Sequence, residues 1–212
     1  YKTYVRPLAL PWPYTLKTGE EIEQKITLTI EGKAPQESGD AAVSVRLGEA
    51  AGTVPRLGQG LDPDDAEAAL DKAEAVKALG LSHLICRHDP RRGHGRETLE
   101  RQLAVARAIG AEPWLEAVIV EVENFEEEVA ALGRLAAELG SPFETVLVSP
   151  ASDLKSTLPG SIWPPAPPAE ALYKATRAAF PGKRVGGGMF SYFTELNRKR
   201  PPAAALDLVS FT

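Results

Sequence analysis

Cysteine is almost absent from this sequence, and the single residue, Cys86, leaves no partner for an internal disulfide. A disulfide-built secreted scaffold is therefore excluded. No apolar run approaches the length needed to cross a bilayer, so a membrane partner is not expected either. The segment at residues 1–16, YKTYVRPLALPWPYTL, has neither the charged start nor the small-residue cleavage site of a signal peptide. These features predict a cytosolic protein.

Charge of one sign is not concentrated anywhere. The 24 lysines and arginines are dispersed among 29 acidic residues, giving a net charge of −5. Because a nucleic-acid-binding protein needs a basic patch, DNA and RNA are not expected as partners. HxH and HExxH spacings are also missing, so we predict no metal, although His88, Glu116 and Asp153 could form a site if they converged. No cofactor is predicted.

Alternating strand and helix patterns fill most of the chain. The strands are predicted at residues 43–47, 83–87, 114–120, 143–149, 184–190 and 206–211. The helices are predicted at residues 63–80, 97–110, 125–140 and 169–180. Such alternation implies parallel βαβ units with right-handed crossovers.

Residues 1–33 carry a different pattern. Aromatic and β-branched residues are followed at residues 22–30 by apolar positions that alternate with charged or polar ones, which is typical of a half-buried strand. A pair of strands is marginal in water. We therefore predict that residues 1–33 end an amino-terminal β domain, that residues 34–42 are a linker, and that residues 43–212 form the α/β domain.

The α/β domain has the features of a barrel rather than of an open doubly wound sheet. No glycine-rich phosphate turn follows the first strand, and the long loops follow strands while the helix-to-strand links are short. A (β/α)8 TIM-type barrel needs eight strands, and only six are predicted. The expected fold is thus an α/β barrel truncated after strand six. Its open edge predicts completion by further residues or a homo-oligomer.

The most unusual stretch is KRVGGGMFSYFTELN at residues 183–197. Glycine in a strand marks a bend or a place where a ligand or another chain segment comes close. At the carboxyl end of a barrel strand, these residues would border a functional site. The alternative is that the glycines only relieve crowding against a helix.

Strand parity brings charges to the barrel interior. Arg46 on the first strand, Arg87 on the second and Glu116 on the third should face inward and pair. In a functional interpretation, the arginines bind carboxylate or lactone oxygens while Glu116 acts as a base. The alternative is a purely structural network that fills the barrel. His88, next to Asp89 at the end of the second strand, is a further candidate base or a solvated loop histidine.

Polar loops follow the fourth and fifth strands. Ser149, Asp153 and Lys155 could bind sugar hydroxyls, although SPASDLKST is not a GxSxG elbow and lacks the Asn-Glu pair of related glycosidases. Trp163 could stack on a sugar or cover the core. Past the glycines, Glu195 is a second candidate catalytic acid and Asn197 its partner in substrate binding. The alternative for both is the start of a helix capped by Thr194.

Three phrases, RPLALPWPYTL, GGGMFSYFTELNR and DLVSFT, resemble the D-apionate lactonase family. The resemblance covers most of the chain. It implies a β-rich amino-terminal domain followed by a (β/α) barrel related in shape to glycoside hydrolases. It also implies hydrolysis of a sugar-acid lactone in the breakdown of a branched plant pentose, with a small sugar acid or lactone as ligand. The alternatives are a glycoside hydrolase-like enzyme and a non-catalytic carbohydrate-binding fragment.

Overall fold

The computed structural model describes residues 15, 17–23, 25, 27–29, 31–32, 45–50 and 52–211. The chain divides into two compact units. One comprises residues 1–53 and 159–161, and the other comprises residues 54–158 and 162–212. The second unit contains every strand and helix described below. No helix in the described part of the chain is both long and apolar enough to span a bilayer.

A parallel sheet of six strands forms the centre of the second unit, and each strand pairs with its successor in the chain. Its strands are β1 (Gly58–Leu61), β2 (His83–His88), β3 (Glu112–Ile119), β4 (Thr145–Pro150), β5 (Arg184–Gly188) and β6 (Leu208–Ser210). A doubly wound sheet would reverse its strand order at one point, whereas a barrel keeps it sequential. The predicted class, an α/β fold that forms part of a TIM-type barrel, is confirmed.

Helices connect the strands. They are α1 (Ala66–Asp71), α2 (Ala73–Lys77), α3 (Arg96–Ile109), α4 (Phe125–Glu138), α5 (Ala169–Ala179) and α6 (Phe193–Lys199). Short 3-10 turns lie at Pro63–Asp65, Pro90–Arg92, Ala151–Leu154 and Ala203–Ala205. The predicted helix at residues 63–80 is interrupted at Lys72, where φ is −108° and ψ is 24°, and no glycine or proline there explains the break. Helix α3 ends at Gly110, which adopts the left-handed conformation that glycine tolerates.

The core lies between the sheet and its helices. Cys86 on β2 and Leu115 on β3 are fully buried in one cluster with Leu99 of α3 and Leu132 of α4. Burial raises the pKa of the Cys86 thiol to about 12. Since successive residues of a strand face opposite sides, the residues next to Cys86 and Leu115 in sequence lie on the inner face of the sheet.

The three glycines of β5 lie where other parts of the protein come close. A Cβ at Gly186 would lie 2.5 Å from Leu147 Cδ2, and one at Gly187 would lie 2.6 Å from the Tyr173 ring of α5. At Gly188, φ is +143° and a Cβ would lie 2.1 Å from the Ser210 carbonyl oxygen. Gly187 therefore fits the interpretation of crowding against a helix, whereas Gly186 and Gly188 lie where neighbouring strands come close.

The first predicted strand is wrong. Residues 45–47 form no strand, and the Leu47 side chain is 100% exposed. The first strand is instead GQGL at residues 58–61, whose two glycines have low strand propensity. Packing explains the glycine at position 58, because the His83 ring occupies the place where a Cβ at Gly58 would lie, with His83 Nε2 at 2.0 Å.

The amino-terminal β prediction falls largely outside the described residues. Where the structure describes residues 15–32, it shows a turn, a bend and irregular chain but no strand, and Ile22 and Leu28 are exposed. The described residues of this segment include no neighbouring strand, and an unpaired strand is not stable in water. The boundaries of the two predicted domains stay a prediction.

Candidate active site

An ion pair spans the inner face of the sheet between β2 and β3. Arg87 and Glu116 are register partners, and Arg87 Nε donates a hydrogen bond to Glu116 Oε1 at 2.7 Å. The Arg87 and Glu116 side chains are 39% and 18% exposed. Among the described residues, no hydrogen bond engages the two terminal nitrogens of the guanidinium. The expected pairing is thus present, and a role for Arg87 in binding substrate stays a prediction.

Arg46 is not on a strand of this sheet. The prediction that it points inward is wrong, because it depended on a strand at residues 43–47. Arg46 lies outside every described strand and is exposed.

His88 lies on the opposite face of β2 from Arg87. It borders a cavity of about 190 Å³ with Leu132 and Leu135 of α4, and its buried Nδ1 has no hydrogen-bond partner within the described structure. Burial, and then the nearby His94, lower the pKa of His88. Asp89 does not orient it, since the Asp89 carboxylate accepts hydrogen bonds from Arg91. The structure therefore separates His88 from Glu116.

The loop after β4 contains a buried ion pair that sequence reasoning missed. Lys199 of α6 donates to both carboxylate oxygens of Asp153, at 2.5 and 2.6 Å. Asp153 is therefore paired with a cation of the protein itself, and its role in binding sugar hydroxyls stays a prediction. Lys155 is exposed, whereas Ser149 is completely buried and its hydroxyl makes a long hydrogen bond of 3.4 Å to the Pro150 carbonyl.

The metal alternative is not supported by this geometry. Glu116 pairs with Arg87, Asp153 pairs with Lys199, and His88 faces the helices. Across residues 52–211 and the shorter described segments before them, no three His, Cys, Asp or Glu side chains converge as metal ligands.

Glu195 and Asn197 lie on α6, as the helix-start alternative predicted. Glu195 is buried and accepts a hydrogen bond from Thr194 Oγ1 at 2.6 Å, and this bond lowers the Glu195 pKa although burial opposes it. Thr194 does not cap the helix, because the N-cap residue is Tyr192. Asn197 is exposed. A catalytic role for Glu195 and a binding role for Asn197 stay predictions.

Trp163 packs against cations of the protein itself. The Arg198 guanidinium carbon lies 4.9 Å from the centre of the indole ring, and Lys199 Nζ lies 5.6 Å from it. These are cation–π distances. The indole thus fixes the proline-rich segment to α6, and Arg198 reinforces this contact by donating to the Thr157 carbonyl.

The amino-terminal end of β3 carries a second polar cluster. Glu112 Oε1 accepts from Trp114 Nε1 and from Arg184, each at 2.7 Å, and Oε2 accepts from Arg56 at 3.1 Å. His83 stacks on Trp114 with ring centroids 3.9 Å apart. In α/β barrels, residues at this end contribute to stability, whereas the chemistry lies at the other end.

A parallel α/β barrel with a charged pair on its inner face belongs to a class of scaffolds that bind small molecules inside the barrel mouth. Residues 57–212 match the D-apionate lactonase TIM barrel domain, and residues 1–33 match the D-apionate lactonase N-terminal domain. The chain belongs to the D-apionate lactonase family, so the resemblance found in the sequence is confirmed.

One curated relative is the D-apionate lactonase of Brucella anthropi, which is 40% identical over 214 residues. The match covers 99% of this chain and 35% of that protein, so the chain spans about a third of the relative's length. Among solved structures, the carboxyl transferase domain of Rhizobium etli pyruvate carboxylase, with pyruvate and biocytin, matches with a TM-score of 0.45 and 13% identity. That match covers 68% of this chain and 23% of the other.

Proposed function

We propose that the protein to which this chain belongs hydrolyses a sugar-acid lactone, specifically the lactone of D-apionate. One observation carries the proposal: nearly the whole chain aligns, at 40% identity, with a protein named D-apionate lactonase. The ligand is then a small neutral sugar lactone and the product a sugar acid. A cytosolic location and association between copies stay predictions.

Lactone hydrolysis needs a base for water and a donor for the carbonyl oxygen. The Glu116 carboxylate takes a proton from water as the water oxygen bonds to the carbonyl carbon. Arg87 donates N–H groups to the oxyanion that forms. The ring C–O bond then breaks, and the ring oxygen leaves as a hydroxyl that carries the proton returned by Glu116. Atoms and charge balance, and the open-chain acid is released.

The position of the pair supports this assignment. Arg87 precedes the last residue of β2, Glu116 lies three residues before the end of β3, and barrel enzymes place their chemistry toward these carboxyl ends. The Arg87–Glu116 bond uses only Nε, so a lactone oxygen can bind the terminal nitrogens while the carboxylate stays close. A forked guanidinium suits this arrangement.

The test is Glu116→Gln in the intact protein. The amide oxygen can still accept the Arg87 bond, but the side chain cannot take a proton, so we expect kcat to fall about 10²- to 10⁴-fold with little change in KM. Proton release from D-apionolactone measures the rate. The matched control is Glu112→Gln, the same change at the other end of the same strand, which should lower stability and leave kcat unchanged.

Three results would overturn the proposal. If Glu116→Gln keeps the wild-type kcat, Glu116 is not the base. If the unmodified protein opens no aldonolactone but releases dye from aryl glycosides, it is a glycosidase. Saturable binding of sugar acids with neither activity would identify a binding protein.

A further inference from the structure

Strand β2, which carries Arg87, extends beyond the end of its neighbour β1. β1 pairs with β2 only as far as Leu61 opposite Cys86, whereas β3 continues beside β2 through Arg87 and His88. Beyond Cys86, no strand from the described part of the chain therefore lies beside the edge of β2 on the β1 side. Backbone groups at such an edge need another partner if they are buried.

Gln102 of α3 supplies that partner. Its side-chain Oε1 accepts a hydrogen bond from the Arg87 backbone N–H at 2.7 Å, and its Nε2 donates to the Arg87 carbonyl oxygen at 3.1 Å. One side chain thus bonds both backbone groups of a single residue, as an adjacent strand would. A second bond from Nε2, to the Thr98 carbonyl at 3.2 Å, ties the amide to α3 itself.

The location of Gln102 makes this arrangement specific. The side chain is completely buried, between Leu99 and Leu103, on a helix face whose other buried residues are apolar except for Thr98. Burying an amide at a core position is unfavourable unless its groups are hydrogen-bonded, and an apolar side chain would fill the same space without that cost. The side chain of Gln102 forms hydrogen bonds with Arg87 and with its own helix. Its hydrogen-bond partner outside α3 is therefore Arg87.

We propose that Gln102 is a positioning residue that holds the Arg87 backbone so that the guanidinium faces Glu116 and the lactone. The role of Arg87 rests on the proposed function, whereas the backbone contact does not. Without Gln102, the Arg87 N–H and carbonyl lose their partners, and the end of β2 is free to shift. A displacement of about 1 Å in a positioned group can cost about 10²-fold in rate.

The first experiment is Gln102→Met, which keeps the length of the side chain and removes its amide. In the intact protein we expect kcat/KM for D-apionolactone to fall about 10- to 100-fold. In an Arg87→Met background, the same change should cause less than about a twofold further loss, because Gln102 acts only through Arg87. The matched control is Gln59→Met, at an exposed glutamine whose side chain, within the described structure, bonds only the Gly60 carbonyl, and it should match wild type.

Equal losses in both backgrounds would overturn the proposal, because they would indicate a general packing defect. So would a wild-type kcat/KM in Gln102→Met. The second experiment needs no catalytic activity: hydrogen–deuterium exchange of a peptide containing Arg87. We expect Gln102→Met to speed exchange of the Arg87 amide at least about tenfold and Gln59→Met to leave it unchanged.

The exchange measurement separates the two proposals. If the wild-type protein opens no lactone, the proposed function fails, and Gln102 is judged by exchange alone. If the Gln102→Met variant does not fold, hydrogen–deuterium exchange of the wild-type protein tests the contact. An Arg87 amide that exchanges as slowly as the Cys86 amide supports it. An Arg87 amide that exchanges like exposed chain overturns it.

Discussion

Replacing Lys199 by methionine should destabilise the protein, because it leaves a buried carboxylate unpaired. The Asp153 side chain is only 6% exposed, and Lys199 Nζ contacts both of its oxygens. Removing one partner of a fully buried ion pair costs about 3–5 kcal/mol. The Lys199 side chain is 26% exposed, so water reaches one side of the pair. We therefore expect the free energy of unfolding to fall by about 2–3 kcal/mol.

Urea unfolding of the intact protein measures this change, and two further variants make it specific. Lys155→Met removes an exposed lysine from the same loop, and should change the free energy of unfolding by less than about 0.5 kcal/mol. In Asp153→Asn/Lys199→Met the remaining side chains are neutral, so at least about 1 kcal/mol should be recovered. The reasoning is refuted if Lys199→Met behaves like Lys155→Met, or if the double variant is no more stable than Lys199→Met.

Two further predictions concern β5 and the amino-terminal end of β3. Gly188→Ala should lower the free energy of unfolding by about 3 kcal/mol, since φ is +143° and the Cβ would meet the Ser210 carbonyl. The control is Gly60→Ala, because nothing lies within 4 Å of a Cβ at Gly60. Equal urea midpoints for the two variants would contradict this prediction. Burial opposes ionisation of Glu112, but side-chain hydrogen bonds, the strongest from Trp114, lower its pKa below 4.5. The stability that ionised Glu112 contributes to the fold should be complete above pH 4.5 and should be lost as pH falls through the lowered pKa. The difference in free energy of unfolding between wild type and Glu112→Gln should therefore shrink from about pH 7 to about pH 3. A difference that stays constant over this pH range would refute the prediction.

Periodicity predicted most of the sheet because the buried strands carry a strong signal. The segments that became β2 and β4 were located to within about two residues, and helices α3 to α5 similarly. β1 was missed because GQGL has neither β-branched residues nor an alternating pattern. The reason for its first glycine lies 25 residues away, where the His83 ring occupies the place of a Cβ at Gly58, and no local pattern encodes that contact.

Strand parity predicts the inward pair, and it also separates that pair from His88. Arg87 and Glu116 were expected on one face, and they are hydrogen-bonded there. The same rule places His88 on the opposite face, provided that β2 continues through His88, as it does. The hypothesis of a histidine base came from the position of His88 next to Asp89 at the end of the strand, and a catalytic role for His88 stays a prediction. The face of the sheet on which a residue lies depends on whether the strand reaches that residue.

Polar residues at core positions were the signal that sequence reasoning left unused. In α3, the spacing of Leu99, Leu103 and Ala106 marks the buried face, and Gln102 falls on that face. A buried amide requires hydrogen-bond partners, so its presence there indicates a backbone or polar group opposite it in the fold. The identity of that partner, the Arg87 backbone, depends on where β1 ends. A pattern within one helix can therefore reveal that a buried polar contact exists, while only the register of two other strands reveals its role.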